Sequence, residues 1–444
     1  MRIRLSDHFT YGKLIQFTLP SIATMIFTSI YGVVDGFFVS NYAGKTPFAA
    51  VNLIMPVIMI LGTVGFMFGT GGTALVAKTL GAGDRKQANR YFSLFVYTAF
   101  FLGVLLAAVG FLWMRPIAAA LGAEGELLDN CVLYARINML GLPFFVLQIM
   151  FQSFFVAAER PHLGLAVTLS SGFTNMILDA VLVLSLPQEQ KLAGAAIATS
   201  MSQFVGGVVP LFYFFRENSS LLRLGKTRWD GSAVLRACVN GSSEFMSNIS
   251  MSLVGILYNL QLIAYAGENG IAAYGVMMYV SMIFSALFVG FSVGGAPVIS
   301  YQDGAENYEE LKGLLRKSLV LVGVFGVSMV LAAELLALPL SRIFVGYDPE
   351  LLELTVSGFR IFALSFGFMG FGIFASGFFT ALNDGLTSAL ISFLRTLVFQ
   401  SASILLLPRL FDVDGIWISV VAAEFMSVIL GGGFLIGKRK KYHY

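Results

Sequence analysis

The sequence predicts an all-α integral membrane protein of twelve transmembrane helices, arranged as two six-helix bundles related by a pseudo-twofold axis along the membrane normal. Its composition, its apolar segments and an internal repeat support this prediction. Of 444 residues, 57% are hydrophobic and 12% are charged, whereas soluble domains carry roughly 25% charged residues. So few charges cannot cover a water-facing surface, which excludes a soluble enzyme, a secreted disulfide scaffold and a disordered chain. The net charge of +3 gives no reason to expect nucleic acid as a partner.

Twelve apolar segments reach the length of about 20 residues that a bilayer-crossing helix needs. The predicted spans are Leu14–Ser40, Phe48–Leu80, Tyr91–Met114, Leu128–Ala157, Leu163–Leu186, Leu192–Phe215, Ala237–Ala264, Ile271–Tyr301, Leu314–Leu338, Leu352–Ala381, Leu386–Leu407 and Gly415–Ile436. The longest polar connection lies at the centre of the chain. We therefore predict an N-terminal six-helix lobe over residues 1–215, a cytoplasmic linker over 216–236 and a C-terminal six-helix lobe over 237–444.

The distribution of Lys and Arg orients these spans, because cytoplasmic loops carry an excess of positive charge. The loops on one side hold 20 basic residues and those on the other side hold 5. This bias predicts a multi-pass protein of the cytoplasmic membrane with both termini in the cytoplasm. The basic N-terminus is not followed by a short apolar stretch with a small-residue cleavage site, so we expect no removable signal peptide.

The two halves of the chain repeat each other at a nearly constant offset. Shifted by 223 residues, Gly71 falls on Gly294 and Gly81 falls on Gly304. Each half has six predicted spans, so both halves enter the membrane in the same orientation. Parallel repeats of this kind are typical of transporters, with the pathway between the two lobes. The alternative is a duplication that serves packing alone.

Five polar residues of the first half are expected at one depth. A charge in the bilayer interior costs at least about 2.5 kcal/mol, yet Asp35 and Asp179 lie within predicted helices, about 7–10 Å below the outer surface. Tyr134, Asn175 and Thr199 reach a similar depth. Such a cluster suits reversible binding of H+ or Na+, with Asp35, Asn175, Asp179 and Thr199 as the oxygen ligands for Na+. The alternative is a hydrogen-bond network that only fixes helix packing. We expect no other cofactor.

The second half does not copy this cluster, since Tyr258 stands at the position equivalent to Asp35. It carries instead a polar group formed by Glu244, Asn248, Arg395 and Glu424. This group either contacts the substrate through an acid or contains an ion pair between Arg395 and a glutamate.

Pro20 shares the first predicted helix with Asp35. Proline removes a backbone hydrogen bond and permits a bend. Pro20 is therefore a candidate hinge that would couple ion binding to cavity shape, and a static kink is the alternative.

These residues give the chain its resemblance to a known family. Leu19-Pro20 followed by Val34-Asp35, the Gly69-to-Asp84 stretch, Asn175 with Asp179, Gly194-Ala195-Ala196-Ile197-Ala198-Thr199, Gly294-Gly295-Ala296-Pro297 and Asp414-Gly415-Ile416-Trp417 resemble the multidrug and toxic compound extrusion (MATE) family. The resemblance covers nearly the whole chain.

The resemblance implies a V-shaped transporter of two six-helix lobes that exports drugs in exchange for H+ or Na+. The first-lobe cation site of the family's prokaryotic branch matches Asp35, Tyr134, Asn175, Asp179 and Thr199 here. In the branch with a second-lobe site, a glutamate on the seventh helix is similar to Glu244. That branch also uses an acid on the tenth helix, where this sequence has only Glu353 at the start.

Three other functions compete with this interpretation. One is a channel, but the two-lobe duplication favours alternating access. A flippase for lipid-linked precursors would line its groove with several cations for phosphate, whereas only Arg395 lies deep in a predicted span. A membrane-embedded enzyme would need a nucleophile with its base or a metal set, and the predicted spans contain no His and no HExxH. We expect lipophilic, cationic or neutral drug-like substrates, membrane lipid as the surrounding partner, and a monomer.

Overall fold

The computed structural model describes residues 3–444, so Met1 and Arg2, which begin the predicted N-terminal lobe, lie outside the described residues. Over this range the chain is helical and contains no strand. Eleven helices are long and apolar enough to cross a membrane, and a bent pair of helices provides a twelfth span. The predicted fold class is confirmed.

We number the helices in chain order. They are α1 Tyr11–Ala43, α2 Thr46–Gly81, α3 Arg85–Ala120, α4 Gly125–Ala157, α5 Pro161–Ser185, α6 Gln188–Phe215, α7 Gly231–Asn240, α8 Ser242–Gly267, α9 Asn269–Gly304, α10 Tyr308–Val345, the broken α11 Pro349–Ala363 and Phe366–Ala381, α12 Gly385–Leu406, and α13 Pro408–Gly437. All except the short α7 are candidate spans.

The structure differs from the sequence prediction at the start of the second half. The seventh span was predicted to begin at Ala237, but Ala237 belongs to the separate helix α7, and α8 begins at Ser242. Gly241 stands between them, and a Cβ there would overlap with the backbone of Met67. The chain breaks at this point because its backbone crosses α2 in direct contact, which only glycine permits.

The tenth span also differs from a single straight helix. Its two parts meet at an angle of 45° between Ala363 and Phe366. The backbone N–H groups of Leu364 and Ser365 bond to carbonyls three residues back, those of Ile361 and Phe362. This tight turn, rather than a proline, produces the bend.

The two lobes contact each other through repeat-related glycines near one end of the molecule. A Cβ on Gly81 of α2 would overlap with the carbonyl oxygen of Tyr301 on α9, and a Cβ on Gly304 would overlap with that of Lys78. Lys78 Nζ also lies 2.8 Å from Asp303 Oδ2 across this crossing. Because Gly81 and Gly304 are equivalent in the internal repeat, the crossing has the local twofold character that the duplication predicts. The distribution of Lys and Arg in the loops predicts that the end of α2 and α9 at which they cross is the cytoplasmic end.

Candidate functional site

Close packing of α1 against α5 creates the first wall of the site. A Cβ on Gly172 of α5 would overlap with the Phe27 ring of α1, so glycine permits this approach. Two turns further along α1 lies Asp35, and one and two turns along α5 lie Asn175 and Asp179. The α-helical part of α1 gives way to a π-helical segment at Val39–Ala43, one turn beyond Asp35. Such π-segments are frequent at functional sites.

Small residues on α6 bring Thr199 to the same place. A Cβ on Gly194 would lie 3.2 Å from Leu182 Cβ of α5, so the two helices pack tightly here. Thr199 follows five residues later and donates its hydroxyl hydrogen bond to the Ala195 carbonyl at 3.1 Å. This bond leaves the lone pairs of the hydroxyl oxygen as acceptors facing the site.

The structure brings all five predicted first-lobe residues together. Asp35 lies beside Asp179, Asn175 and Thr199. Tyr134 of α4 lies beside Thr199 and close to both carboxylates. Asp35 is 7% exposed, Asp179 and Tyr134 are fully buried, and Asn175 is 2% exposed. These five side chains, which are far apart in the sequence, therefore lie together in the structure.

Five oxygen atoms of the cluster, including the Tyr134 hydroxyl oxygen, are buried without a hydrogen-bond partner among the described residues. Both carboxylate oxygens of Asp179 and one of Asp35 are buried without a hydrogen-bond partner among the described residues. Asn175 Oδ1 is also buried without a hydrogen-bond partner among these residues. Buried polar atoms are normally satisfied, and two carboxylates cannot bond to each other without a shared proton. A proton or a hard cation such as Na+ would supply what these oxygens lack.

Three further polar residues surround this cluster, and sequence reasoning missed them. Tyr31 lies one turn before Asp35 and interacts with its charge. Asn138 donates from Nδ2 to the Tyr134 carbonyl at 2.9 Å. Gln203, one turn after Thr199, is 8% exposed with its Oε1 unpartnered. The spacing of four residues from a predicted member could have identified Tyr31, Asn138 and Gln203.

The position of the second lobe that is equivalent to Asp35 holds an uncharged side chain whose hydroxyl group has hydrogen-bond partners. Tyr258, the counterpart of Asp35, is 1% exposed. Its hydroxyl group bonds with Gln400 Oε1 at 2.9 Å and with Ser419 Oγ at 2.8 Å. The ring of Tyr258 stacks on Tyr274 with centroids 5.2 Å apart. The second lobe therefore places a closed aromatic network where the first lobe has two acids.

The polar group of the second lobe divides into two parts. Arg395 donates from Nε to Glu424 Oε2 at 2.8 Å and from Nη2 to Oε1 at 2.9 Å. Gly372 makes room for this pair, because a Cβ there would lie 2.9 Å from Arg395 Cδ. Of the two alternatives that the sequence left open, the geometry shows the ion pair, and its glutamate is Glu424.

Glu244 is separate from this ion pair. It lies half-buried on the first turn of α8, and its backbone carbonyl accepts a hydrogen bond from Asn248 Nδ2 at 2.8 Å. Within residues 3–444, the Glu244 carboxylate forms no ion pair with a Lys, Arg or His side chain at a distance of 4.0 Å or less. It is therefore an acid without a fixed counter-charge in the second lobe.

Pro20 lies buried in the part of α1 that contacts the second lobe. The helix continues through it, and Thr24 Oγ1 donates to the Pro20 carbonyl at 2.8 Å. Next to Pro20, the backbone of Ser21 and Ile22 is in direct contact with Gly290 of α9. A change in the bend at Pro20 would therefore alter the contact between α1 and α9 at the interface between the lobes.

The comparison with protein families decides the identity of this architecture. The MatE family model matches residues 20–181 and 245–402, which are corresponding parts of the two halves. The chain belongs to the MatE family. The resemblance to multidrug and toxic compound extrusion transporters that the motifs predict is confirmed.

Two curated relatives of this MatE protein are similar over almost their whole length. The multidrug export protein MepA of Staphylococcus haemolyticus is 25% identical over 421 residues, covering 95% of this chain and 92% of the relative. MepA of a Staphylococcus aureus strain is 24% identical over 422 residues, covering 94% and 92%.

Solved structures of the family share the fold. An outward-facing multidrug resistance MATE transporter superimposes with a TM-score of 0.91 at 22% identity, covering 98% of this chain and 97% of that chain. A MATE in the bent conformation gives a TM-score of 0.88 at 20% identity, covering 98% of both chains. At these identities the likeness concerns the fold alone.

Proposed function

We propose that this MatE protein exports lipophilic, cationic or neutral drug-like molecules across the cytoplasmic membrane in exchange for H+ or Na+. The curated relatives that it matches are named multidrug export proteins. In this proposal the protein is a transporter rather than an enzyme, both termini lie in the cytoplasm, and a monomer suffices because each chain has both lobes.

The buried pair Asp35 and Asp179 carries the proposal. Two carboxylates side by side in a water-poor site cannot both stay charged without a compensating cation. Binding one H+ or Na+ satisfies their free oxygens, and releasing it leaves them unsatisfied. The free-energy difference between the ion-bound and the ion-free protein depends on the ion concentration on each side of the membrane. An ion gradient can therefore drive a conformational change, as antiport requires.

The charges elsewhere in the spans favour cationic or neutral substrates. Arg395 is neutralised by Glu424, Arg360 lies 3.8 Å from Glu334, and Arg136 donates to the Phe111 carbonyl. These three side chains are engaged, so a phosphate group would find no ready counter-charge among them. This observation argues against a flippase for lipid-linked precursors. Glu244, which has no such partner, is our candidate for contact with a cationic substrate.

In the proposed cycle the crossing of α2 and α9 closes the cytoplasmic end while substrate leaves outward. Ion binding at Asp35 and Asp179 would change the packing of α1 against α5. Because α1 also contacts α9 next to Pro20, this change reaches the other lobe. The lobes would then open toward the cytoplasm, release the ion and accept new substrate.

The test is efflux of ethidium from proteoliposomes that contain the purified protein, under a H+ gradient, a Na+ gradient or neither. We expect efflux above that of protein-free liposomes under at least one gradient, and that gradient identifies the coupling ion. Absence of efflux under both gradients, together with scrambling of a fluorescent lipid, would overturn the proposal in favour of the flippase.

A further inference from the structure

A basic pocket lies where the segment between the two lobes passes the first turns of α3, away from the site described above. The cavity has a volume of about 300 Å³. Lys86 and Arg90 line it from α3, and Arg223 and Lys226 line it from the connecting segment. Four cations therefore converge on a space that is large enough for a phosphate group.

Hydrogen bonds fix the connecting segment on α3. The backbone N–H of Arg223 donates to Asn89 Oδ1 at 2.7 Å, and that of Gly225 donates to Ser93 Oγ at 3.0 Å. Tyr97 on the next turn donates its hydroxyl to the Gly225 carbonyl at 3.2 Å. The two walls of the pocket are thus held together by contacts that do not use the four charged groups.

The four basic side chains of the pocket have few carboxylates near them to balance their positive charge. Arg223 lies 3.3 Å from Glu217, whose side chain is 88% exposed. Within the described part of the chain, Lys86, Arg90 and Lys226 have no carboxylate within 4.0 Å. Like charges in one small space repel each other, and an anion with several acceptor oxygens would offset this repulsion.

The neighbouring residues place the pocket at the surface of the membrane. Trp229 follows the segment and is 72% exposed, as expected of an interfacial aromatic side chain. The adjacent helix α7 buries Ala233 and Ala237 against the protein and exposes Leu235 and Val239. Exposed apolar residues on a short helix beside basic side chains are typical of an element that lies in the headgroup region.

We propose that this pocket binds the phosphate headgroup of an anionic phospholipid of the inner leaflet. The pocket would recognise the anionic phosphate group, which a free phosphate ion also has. Trp229 and α7 favour the lipid, since they bring acyl chains and headgroups to the same place. Binding would fasten the segment that joins the lobes to α3 and to the membrane surface. The proposal is independent of the transport function.

Native mass spectrometry of the purified full-length protein, titrated with phosphatidylglycerol in detergent, tests this site. The variant Arg90→Gln/Lys226→Gln removes two pocket cations. The control Lys312→Gln/Arg316→Gln removes one Lys and one Arg from exposed positions at the same end of the second lobe. A headgroup-level cation contributes about 1 kcal/mol, so we expect the pocket variant to bind the lipid about 30-fold more weakly. The control should bind like wild type.

Two results would overturn the proposal. An equal loss of affinity in both double variants would show general attraction to basic loops rather than a site. Full competition of phosphatidylglycerol by an equal concentration of inorganic phosphate would assign the pocket to a free anion. Retention of the lipid in excess phosphate, together with its loss in the pocket variant alone, supports the lipid site. Thermal unfolding of both double variants verifies that they are folded.

Discussion

Arg395 and Glu424 form a two-point ion pair in the interior of the second lobe, with donor–acceptor distances of 2.8 and 2.9 Å. Glu424 is only 3% exposed, so water could not hydrate its carboxylate if Arg395 were removed. The pair joins α12 to α13.

Removing one member of this pair should destabilise the protein strongly. Arg395→Met leaves Glu424 buried and unpaired, which costs about 3–5 kcal/mol. The double variant Arg395→Met/Glu424→Leu should recover most of this loss, because no buried charge remains. Thermal unfolding in detergent measures both effects. The matched control is Arg360→Met, which breaks the more exposed contact with Glu334 and should cost less than about 1 kcal/mol. An Arg395→Met variant as stable as this control would refute the prediction.

The glycine crossing between α2 and α9 should be sensitive to a single methyl group. Gly304→Ala places a Cβ against the Lys78 carbonyl, so α2 and α9 must separate. We expect a longer distance between spin labels on Ala82→Cys and Glu309→Cys, in a background of Cys131→Ser/Cys238→Ser, and efflux that is at least about tenfold slower.

Gly295→Ala is the control for this crossing, because a Cβ at Gly295 meets no atom within 4 Å. It should leave the label distance and the efflux rate as in wild type. If Gly304→Ala also left both unchanged, the crossing would not be the contact that closes the cytoplasmic end.

Pro20→Ala tests the candidate hinge in α1. The substitution supplies a backbone N–H for the Gln16 carbonyl and favours a straight helix by up to about 3 kcal/mol. If bending at Pro20 belongs to the cycle, efflux should slow by about tenfold or more, with unfolding temperature unchanged or raised. Pro56→Ala is the matched control, since Pro56 lies inside α2 on an exposed surface. Equal efflux by the two variants would mean that Pro20 is a static kink.

The sequence predicted the first-lobe cluster because charge in a membrane is costly and therefore conspicuous. Asp35 and Asp179 were identified on this ground, and helical spacing added Asn175. Tyr31 and Gln203 carry no charge that would single them out, although each lies four residues from a predicted member of the cluster. The partner of Arg395 was also left open, because depth along a helix does not tell which face of α13 carries Glu424 toward α12.

The helix boundaries that sequence could not predict depend on contacts between distant segments. The break at Gly241 exists because α2 crosses there, and hydropathy along the chain contains no information on that crossing. The bend between Ala363 and Phe366 has no proline to mark it. By contrast, the twelve spans and the duplication follow from apolar segment lengths and from a repeat offset, both of which can be read from the sequence.

Gradient-driven efflux by Asp35→Asn and Asp179→Asn is the most direct test of the central claim that this carboxylate pair binds the coupling ion. The control is Asp129→Asn, which removes an exposed carboxylate paired with Arg115 near the N-terminal end of α4. We expect both site variants to lose ethidium efflux under the gradient that drives wild type, by about 100-fold or more, because the amide neither binds a proton nor carries the charge that holds Na+. Asp129→Asn should transport like wild type. Wild-type rates in both folded site variants would contradict the account and remove the pair from coupling.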